Sequence, residues 1–241
     1  MFDAEIRQYL EEHGFETFRP KAVLFDMDGV LFDSMPNHAR SWKCSMAEYG
    51  IDMAETEAYR YEGMRGVETI KILARQHWGR EVSDEEAHSM YDTKSRWFRS
   101  CPEAEKMPGA EHLMRLVAES GMQVVIVTGS ATTTLLSRLQ REFPGLIDKE
   151  HMVTAFDVQR GKPDPQPYLK GLAKAGVRPN EAVVVENAPL GIRSAVAAGI
   201  FTVAVNTGPL PDETLQAERC NLLFHDMPSV EPFIKEVTAN I

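Results

Sequence analysis

Two aspartates, one residue apart, follow a short apolar run near the start of the chain, in the sequence Ala22-Val23-Leu24-Phe25-Asp26-Met27-Asp28-Gly29. A bounded run rich in Val, Leu and Phe predicts a buried strand, so Asp26 would lie at its carboxyl end and Asp28 on the turn that follows. Two carboxylates held together there could bind a divalent cation, and one of them could attack an electrophile. The alternative is an ordinary turn whose acids cap the next helix.

Further polar residues follow later apolar runs. Thr128 ends one run, Lys162 lies in a Gly-Lys-Pro loop, and Glu186 with Asn187 ends another run. Because the carboxyl ends of parallel strands meet at one edge of a sheet, these groups are expected to lie close together. Phosphoryl transfer needs such a set: a nucleophile, a proton donor and acceptor, a cation, and donors for the phosphoryl oxygens. Taken singly, each residue could instead be a helix cap, a surface lysine or a solvated strand end.

The elements that would position these residues alternate between strands and helices. Strands are predicted at 22–25, 123–129, 152–156, 182–187, 202–206 and 222–224. Helical patterns fill the segments between the strands after residue 109. This alternation predicts an α/β fold with a parallel sheet and helices on both faces.

Residues 34–102 show only helical patterns, and Ser83-Asp84-Glu85-Glu86 is typical of a capping box at a helix start. The segment 101–109, which contains two prolines and a glycine, is expected to return the chain to the sheet. The predicted organisation is an α/β core with an inserted all-helical cap. The core would comprise residues 1–33 and 106–241, with an extra helix within 1–19, and the cap would comprise residues 34–105.

The composition sets limits on the function. At 241 residues, with 43% hydrophobic and 26% charged residues, the chain resembles a folded globular protein. The net charge of −10 argues against a nucleic-acid surface but permits a small anionic substrate bound by a metal and a few local bases. Three cysteines without a CxxC pair argue against a disulfide framework. No signal peptide or membrane span is evident, so a cytoplasmic protein without membrane partners is expected. The acidic composition and the lack of an obvious apolar patch are consistent with a monomer.

The order of the polar groups resembles the haloacid-dehalogenase (HAD) superfamily of phosphotransferases. Its DxDG motif is matched by residues 26–29, its strand-ending Ser or Thr by Thr128, its Lys before proline by Lys162, and its strand-ending acidic pair in part by Glu186-Asn187. The resemblance spans about residues 20–225 and includes a helical cap between the first two motifs. It implies a HAD-like, Rossmann-like sheet and a Mg²⁺-dependent enzyme acting on a small phosphorylated substrate.

The same resemblance implies catalytic roles for the matched residues. Asp26 would attack phosphorus and become an aspartyl phosphate, while Asp28 would act as general acid and base. Thr128 and Lys162 would bind the transferring phosphoryl group. Two neighbours of Thr128 are further candidate substrate contacts, namely Gly129 and Ser130.

The resemblance also implies the metal site. Asp26, the backbone carbonyl of Asp28, Glu186 and Asn187 would hold Mg²⁺. Asn187 stands where many relatives have Asp; its amide still offers an oxygen but carries no charge, so weaker metal binding is expected.

Residues of the cap resemble the β-phosphoglucomutase subfamily. His38 lies ten residues after Asp28, as in that subfamily, and Lys94 matches its cap lysine. The arginine that binds the distal phosphate in the mutase's cap loop falls at Thr69 here, which argues against a mutase. Arg65 is a further candidate for binding substrate phosphate, because a guanidinium suits bidentate phosphate contacts.

An inorganic pyrophosphatase branch of this subfamily is more similar to the chain. It shares the sequences at 153–158, 186–191 and 206–210, and Glu62 matches its cap glutamate in a Tyr-x-x-Glu-Gly setting. The resemblance implies that cap residues Glu62, His38 and Lys94 constrict the site so that pyrophosphate fits and larger esters do not. Each of them could otherwise be a solvated or helix-surface residue.

The sequence therefore predicts a Mg²⁺-dependent phosphohydrolase that works through an aspartyl phosphate, with inorganic pyrophosphate or a similarly small phosphate as substrate. Two enzymatic alternatives are a β-phosphoglucomutase that interconverts β-glucose 1-phosphate and glucose 6-phosphate, and a sugar-phosphate phosphatase. A catalytically silent binding module is an alternative of another class.

Overall fold

A computed structural model describes residues 1–130 and 135–239 of the chain. Its strands are β1 (Ala22–Phe25), β2 (Gln123–Val127), β3 (Met152–Val153), β4 (Ala182–Glu186), β5 (Phe201–Val205) and β6 (Leu222–Phe224). All neighbouring strands pair in parallel, in the order β3-β2-β1-β4-β5-β6. The predicted parallel sheet is confirmed, and β1 lies at its centre between β2 and β4.

The helices fall into two groups. Those inserted between β1 and the rest of the sheet are α2 (Met35–Glu48), α3 (Glu55–Ala58), α4 (Gly66–Trp78) and α5 (Asp84–Arg99). The others are α1 (Asp3–His13), α6 (Ala110–Glu119), α7 (Leu135–Glu142), α8 (Gln166–Ala175), α9 (Pro189–Ala197), α10 (Asp212–Gln216) and α11 (Glu231–Thr238). Within residues 1–130 and 135–239, no helix has both the length and the apolar character needed to cross a bilayer.

Alternate residues of the central strands pack against helices on opposite faces of the sheet. Val23 and Phe25 of β1 lie in one buried cluster with side chains of α6 and α11. Ala22 and Leu24 lie in a second cluster with side chains of α8 and α9. Because strands buried on both faces must be apolar throughout, the continuous hydrophobic runs of the sequence become the centre of the sheet.

The inserted helices have a hydrophobic cluster of their own. The buried residues of this cap cluster are Ala39, Trp42, Met46, Ile51, Met53, Ala58, Ile70, Leu73, Ala74, Val82, Ala87 and Met90. The two connections to the sheet pair with each other, since the Asp33 amide donates to the Glu105 carbonyl at 2.9 Å and the Met107 amide donates to the Leu31 carbonyl at 2.8 Å. This pairing lies beside the boundaries predicted for the cap, and those boundaries stay a prediction.

Local details follow the sequence closely, with one clear exception. The Ser83 side chain caps α5 by accepting a hydrogen bond from the Glu86 amide at 3.1 Å. The strand predicted at 152–156 is shorter, because the Asp157 carboxylate accepts bonds from both the amide and the hydroxyl of Thr154 at 2.8 and 2.9 Å. These bonds hold residues 154–157 in a turn after Val153.

Candidate active site

The carboxyl ends of β1, β2 and β4 surround one buried lysine. Lys162 Nζ lies 2.5 Å from Asp26 Oδ1, 2.6 Å from Glu186 Oε1 and 3.3 Å from the Val127 carbonyl oxygen. Lys162 is 2% exposed and Glu186 is fully buried. The edge of the sheet therefore holds the predicted nucleophile and the predicted phosphate-binding lysine in direct contact.

The pKa values of this cluster reflect burial and mutual contact. Burial raises the pKa of Asp26, and the Glu186 and Asp28 carboxylates add to the rise, although Lys162 opposes it. Burial alone would lower the pKa of Lys162, but Asp26 and Glu186 outweigh it and raise that pKa above its ordinary value. The single positive charge of Lys162 therefore does not neutralise all the carboxylates near Asp26. An added cation would favour the ionised, nucleophilic form of Asp26.

Glu186 uses both carboxylate oxygens within the protein. Oε1 accepts from Lys162 and from the Tyr168 hydroxyl at 2.9 Å, and Oε2 accepts from the amides of Asn187 and Ala188 at 2.9 and 3.0 Å. A Cβ at Gly191, in the first turns of α9, would overlap this carboxylate. In this structure Glu186 holds Lys162 and the turn after β4, and its predicted role as a metal ligand stays a prediction that requires it to give up one of these bonds.

Asp28 contacts the cap. Its Oδ1 accepts from the Ser34 hydroxyl at 2.5 Å and lies 3.5 Å from His38 Nε2. Burial would raise the pKa of Asp28, but His38, Ser34 and Lys94 outweigh burial and lower it to about 2. Asp28 is therefore held as an ionised carboxylate.

Lys94 supports this arrangement from inside the cap. Its Nζ lies 2.8 Å from His38 Nδ1 and within 6 Å of the rings of Trp42, Tyr91 and Phe98, at 5.4, 5.9 and 4.8 Å. Burial of Lys94, which is 3% exposed, lowers its pKa to about 8 although Asp28 opposes the shift. The structure therefore joins the two predicted cap residues, His38 and Lys94, into a chain that ends at Asp28.

The segment after β2 lies beside Lys162. Thr128 is buried, and its hydroxyl accepts from the Ser130 amide at 3.1 Å. The Ser130 carbonyl in turn accepts from the Ala155 amide at 3.1 Å, which ties the segment to the loop after β3. Gly129 lies under the cap, because a Cβ there would sit 3.4 Å from the Gly63 carbonyl oxygen.

Glu62 of the cap contacts Asn187 of the site. Both of its carboxylate oxygens lie within reach of Asn187 Nδ2, at 3.1 and 3.3 Å. Burial raises the pKa of Glu62 well above its ordinary value, and the carboxylates of Asp26, Glu186 and Asp28 raise it further. The cap thus adds another acidic group to an already acidic edge of the sheet.

Neighbours of Glu62 close the space above Thr128 and Lys162. A Cβ at Gly63 would lie 3.0 Å from the Lys162 side chain, so only glycine lets the cap approach this closely. Arg65 Nη1 donates to the Gln159 carbonyl at 3.0 Å. The cavity lined by Gly63, Arg65, Thr128, Gly129, Ala155, Val158, Gly161, Lys162 and Pro167 has a volume of about 10 Å³, about the space of one water molecule.

The donor set fits a hard divalent cation. Asn187 Oδ1 is buried and has no hydrogen-bond partner within the described residues, and Nδ2 of the same amide contacts the Glu62 carboxylate. Carboxylate, amide and carbonyl oxygens are the ligands that Mg²⁺ takes. In residues 1–130 and 135–239, no three His, Cys, Asp or Glu side chains converge as a complete metal cluster, so the site would also need Asn187 or a backbone carbonyl.

Three residues of the site had no predicted role. Ser34 contacts Asp28, Tyr168 contacts Glu186, and Gly191 leaves room for the Glu186 carboxylate. Gly191 belongs to the stretch 186–191 noted for its similarity to pyrophosphatases. Ser34 belongs to the run 33–38, which ends in His38 and resembles the β-phosphoglucomutase subfamily. Tyr168 carries no comparable signal, because its type and position fit an ordinary helix residue equally well.

Comparison with known proteins defines the class of enzyme. The profile of the hydrolase family of haloacid dehalogenase-like hydrolases matches residues 20–199. The chain belongs to this family, and it is a HAD-family phosphoryl-transfer enzyme with both phosphatases and phosphomutases among its relatives.

Three similar proteins are named as enzymes of different activities. The chain is 33% identical to "Hexitol phosphatase A" of Escherichia coli, over 88% of this chain and 94% of that protein. It is 28% identical to "Putative pyrophosphatase PpaX" of Caldanaerobacter subterraneus, over 89% of this chain and 94% of that protein. A solved structure named "Putative beta-phosphoglucomutase" from Bacteroides vulgatus is 49% identical, covers 98% of both chains and superposes with a TM-score of 0.93.

Proposed function

We propose that this enzyme is a Mg²⁺-dependent phosphohydrolase that acts on inorganic pyrophosphate, or a similarly small phosphate, through an aspartyl phosphate at Asp26. The observation that carries the proposal is the contact between Glu62 of the cap and Asn187 of the core, at 3.1 Å. A cap that closes onto the site with a carboxylate leaves a cavity of only about 10 Å³ over Thr128 and Lys162. Because the Glu62 carboxylate lies against the core, a compact substrate would need less opening of the cap than a sugar phosphate would.

The cap also supports a hydrolase over a mutase. A mutase must hold a second phosphate while its bisphosphate intermediate turns around. Thr69, at the position of the mutase arginine, is 1% exposed and lies in α4 with its hydroxyl 3.5 Å from the Arg65 carbonyl. It is turned into the cap and offers no contact to a distal phosphate, whereas Arg65 lines the cavity and suits the leaving phosphate of pyrophosphate.

The residues at the sheet edge suit a two-step displacement. Lys162 bonds to Asp26 Oδ1, so Oδ2 is the atom that attacks phosphorus as the bridging bond of pyrophosphate breaks and orthophosphate leaves. A water molecule then attacks the aspartyl phosphate as the bond to Asp26 breaks, and Asp28 takes the water's proton and passes it to the departing phosphate, which restores the Asp28 carboxylate. Lys162 and the Thr128 hydroxyl would hold the transferring group.

The metal would be held by Asp26, the Asp28 carbonyl and Asn187, with Glu62 or Glu186 completing or supporting the set. Bound there, Mg²⁺ would neutralise the crowded carboxylates and the charge of the phosphoryl group. The closed cap would keep bulk water from the site while the first step proceeds.

A sugar-phosphate phosphatase is the second candidate, because a hexitol phosphatase is 33% identical to this chain. In that case the cap would have to open further than it does here, since larger leaving groups would meet Glu62 and Arg65. The two candidates share every step at Asp26 and differ only in the leaving group.

Kinetics with Mg²⁺ separate the candidates. Phosphate release from pyrophosphate and from a hexitol 6-phosphate is compared with glucose 6-phosphate formed from β-glucose 1-phosphate and a trace of bisphosphate. We expect kcat/KM for pyrophosphate to exceed the others by at least about 100-fold, equal to roughly 2.7 kcal/mol of transition-state binding. A dominant sugar-phosphate activity, or a dominant isomerisation, would overturn the proposal.

A matched pair of variants tests the nucleophile. Asp26→Asn is expected to abolish turnover on every substrate, because an amide does not attack phosphorus. Asp33→Asn makes the same chemical change at a nearby exposed carboxylate and is expected to retain wild-type activity. Appreciable turnover by Asp26→Asn would rule out the covalent route.

A further inference from the structure

One aromatic side chain joins the cap to the sheet domain. Tyr59 packs against the cap cluster defined above, and it also packs against a separate cluster formed by Ile192, Ala204, Leu210 and Leu215. Within the part of the chain that the structure describes, no other member of the cap cluster belongs to a cluster of the sheet domain. Tyr59 is the first residue of the Tyr-x-x-Glu-Gly sequence, and the catalytic scheme above gives it no role.

The Tyr59 ring packs against Gly208, which has no side chain. A Cβ at Gly208 would lie 3.1 and 3.2 Å from Cδ1 and Cε1 of the Tyr59 ring, closer than side chains normally pack. The backbone of Gly208 is not in the left-handed region, so the lack of a side chain, and not an unusual turn, is what distinguishes this position. Gly208 thus leaves a flat surface on which the ring lies.

The loop that carries Gly208 is fixed to the catalytic turn. The Thr207 hydroxyl donates to the Gly29 carbonyl at 2.7 Å, next to Asp28. Asn206 Nδ2 donates to the Leu210 carbonyl at 2.9 Å and to Asp212 Oδ1 at 2.6 Å, which closes the loop on itself. The docking surface therefore keeps a fixed position relative to the nucleophile.

The cap segment that contains Tyr59 also contains Glu62. The Tyr61 amide donates to the Ala58 carbonyl at 3.2 Å, and the Met64 amide donates to the Tyr61 carbonyl at 3.1 Å, so residues 58–64 form consecutive tight turns. These turns connect Tyr59 to Glu62 within one short segment of the cap. We propose that Tyr59, docked on Gly208, is a positioning residue that sets how far the cap closes and so places Glu62 on Asn187.

This inference rests on the proposed function for its meaning, since the docked position is what makes the cap a size filter. Tyr59→Ala is expected to lower kcat/KM for pyrophosphate about tenfold, because part of an aromatic ring is no longer buried on closure. Activity on larger esters should fall less, so the preference for pyrophosphate narrows. Tyr59→Phe is the matched control: it keeps the ring and is expected to behave as wild type.

A double-mutant cycle tests whether Tyr59 acts through Glu62. In a Glu62→Ala background, the additional Tyr59→Ala change is expected to alter kcat/KM by less than about twofold, whereas independent effects would multiply. Fully multiplicative effects of the two changes would overturn the inference. Gly208→Ala perturbs the same contact from the sheet side and should reproduce part of the loss, which keeps the test available if Tyr59→Ala does not fold.

The role of Tyr59 can be tested even if pyrophosphate is not the substrate. If the wild-type enzyme does not hydrolyse pyrophosphate, the cycle is run on the phosphate ester that it hydrolyses fastest. Hydrogen exchange at the Tyr61 and Met64 amides provides a readout without substrate: it should speed up about tenfold in Tyr59→Ala and stay unchanged in Tyr59→Phe. Exchange and kcat/KM both unchanged in Tyr59→Ala would show that the ring does not position the cap.

Discussion

Replacing Lys162 with methionine would leave two buried carboxylates without their shared cation. Lys162 is 2% exposed, and Asp26 and Glu186 are 5% and 0% exposed. Methionine keeps most of the side-chain volume, so the change removes chiefly the charge and its bonds at 2.5 and 2.6 Å. Breaking a buried ion pair from one side costs about 3–5 kcal/mol, a large share of the roughly 5–15 kcal/mol that stabilises a typical protein.

Lys94 offers a matched control, because it is a second buried lysine with different contacts. It is 3% exposed, and its Nζ contacts His38 and three aromatic rings and forms no ion pair within the described residues. Burial lowers the pKa of Lys94 to about 8, so its charge is itself unfavourable there. Lys94→Met loses cation–π contacts but relieves this burial, and the free energy of unfolding is expected to change by no more than about 1 kcal/mol.

Urea unfolding at pH 7 measures both variants, first without divalent ions and then with Mg²⁺. We expect Lys162→Met to lose about 3–5 kcal/mol without Mg²⁺ and to recover part of that loss when Mg²⁺ is added, because the cation supplies positive charge beside Asp26. Lys94→Met should respond to Mg²⁺ as the wild type does. An equal stability loss in the two variants would refute the argument that the carboxylates around Lys162 make it different.

Two further predictions concern other charged groups. Asn187→Asp should lower kcat/KM about tenfold or more, because the 3.1 Å hydrogen bond to Glu62 becomes a repulsion between two carboxylates. Adding Glu62→Gln to this variant should restore activity. A double variant without recovered activity would contradict the prediction. Hydrogen bonds from Lys21 and Arg178 lower the pKa of Glu181 to about 2, so its stabilisation is present above the unfolded-state pKa and is lost as pH falls toward 2. Glu181→Gln should therefore cost about 1 kcal/mol at pH 7 and progressively less between pH 5 and pH 3 in denaturation experiments, and a pH-independent cost would contradict it.

Much of the fold follows from short-range patterns in the sequence. The central strands are continuous apolar runs because both faces of the sheet are covered, and each run ends where a polar residue appears. Helix α1 lies within residues 1–19, where an extra helix is predicted, and Gly14 ends it in the left-handed conformation with φ of 67°. The strand predicted at 152–156 ends at Val153. The amide and hydroxyl of Thr154 bond to the Asp157 carboxylate, and the chain turns there.

The site was less predictable, because its contacts join residues that are distant in sequence. Strand ends predict that Asp26, Lys162 and Glu186 converge, but they do not predict that all four bonds of Glu186 stay within the protein. That result depends on Tyr168 reaching across from α8 and on the missing side chain of Gly191. A glycine inside a helix gives no local sign of which carboxylate it leaves room for.

The contact between Asn187 and Glu62 gives a physical reason for an amide at position 187. An aspartate at 187 would place a second carboxylate against Glu62, whose pKa burial and the neighbouring acids already raise. An amide instead donates to Glu62 through Nδ2, and its buried Oδ1 has no hydrogen-bond partner within the described residues. If the proposed metal binds beside Asn187, the Glu62 carboxylate would bring from the cap the charge that the core lacks at position 187. Metal binding and cap closure would then favour each other, because each reduces the electrostatic cost of the other.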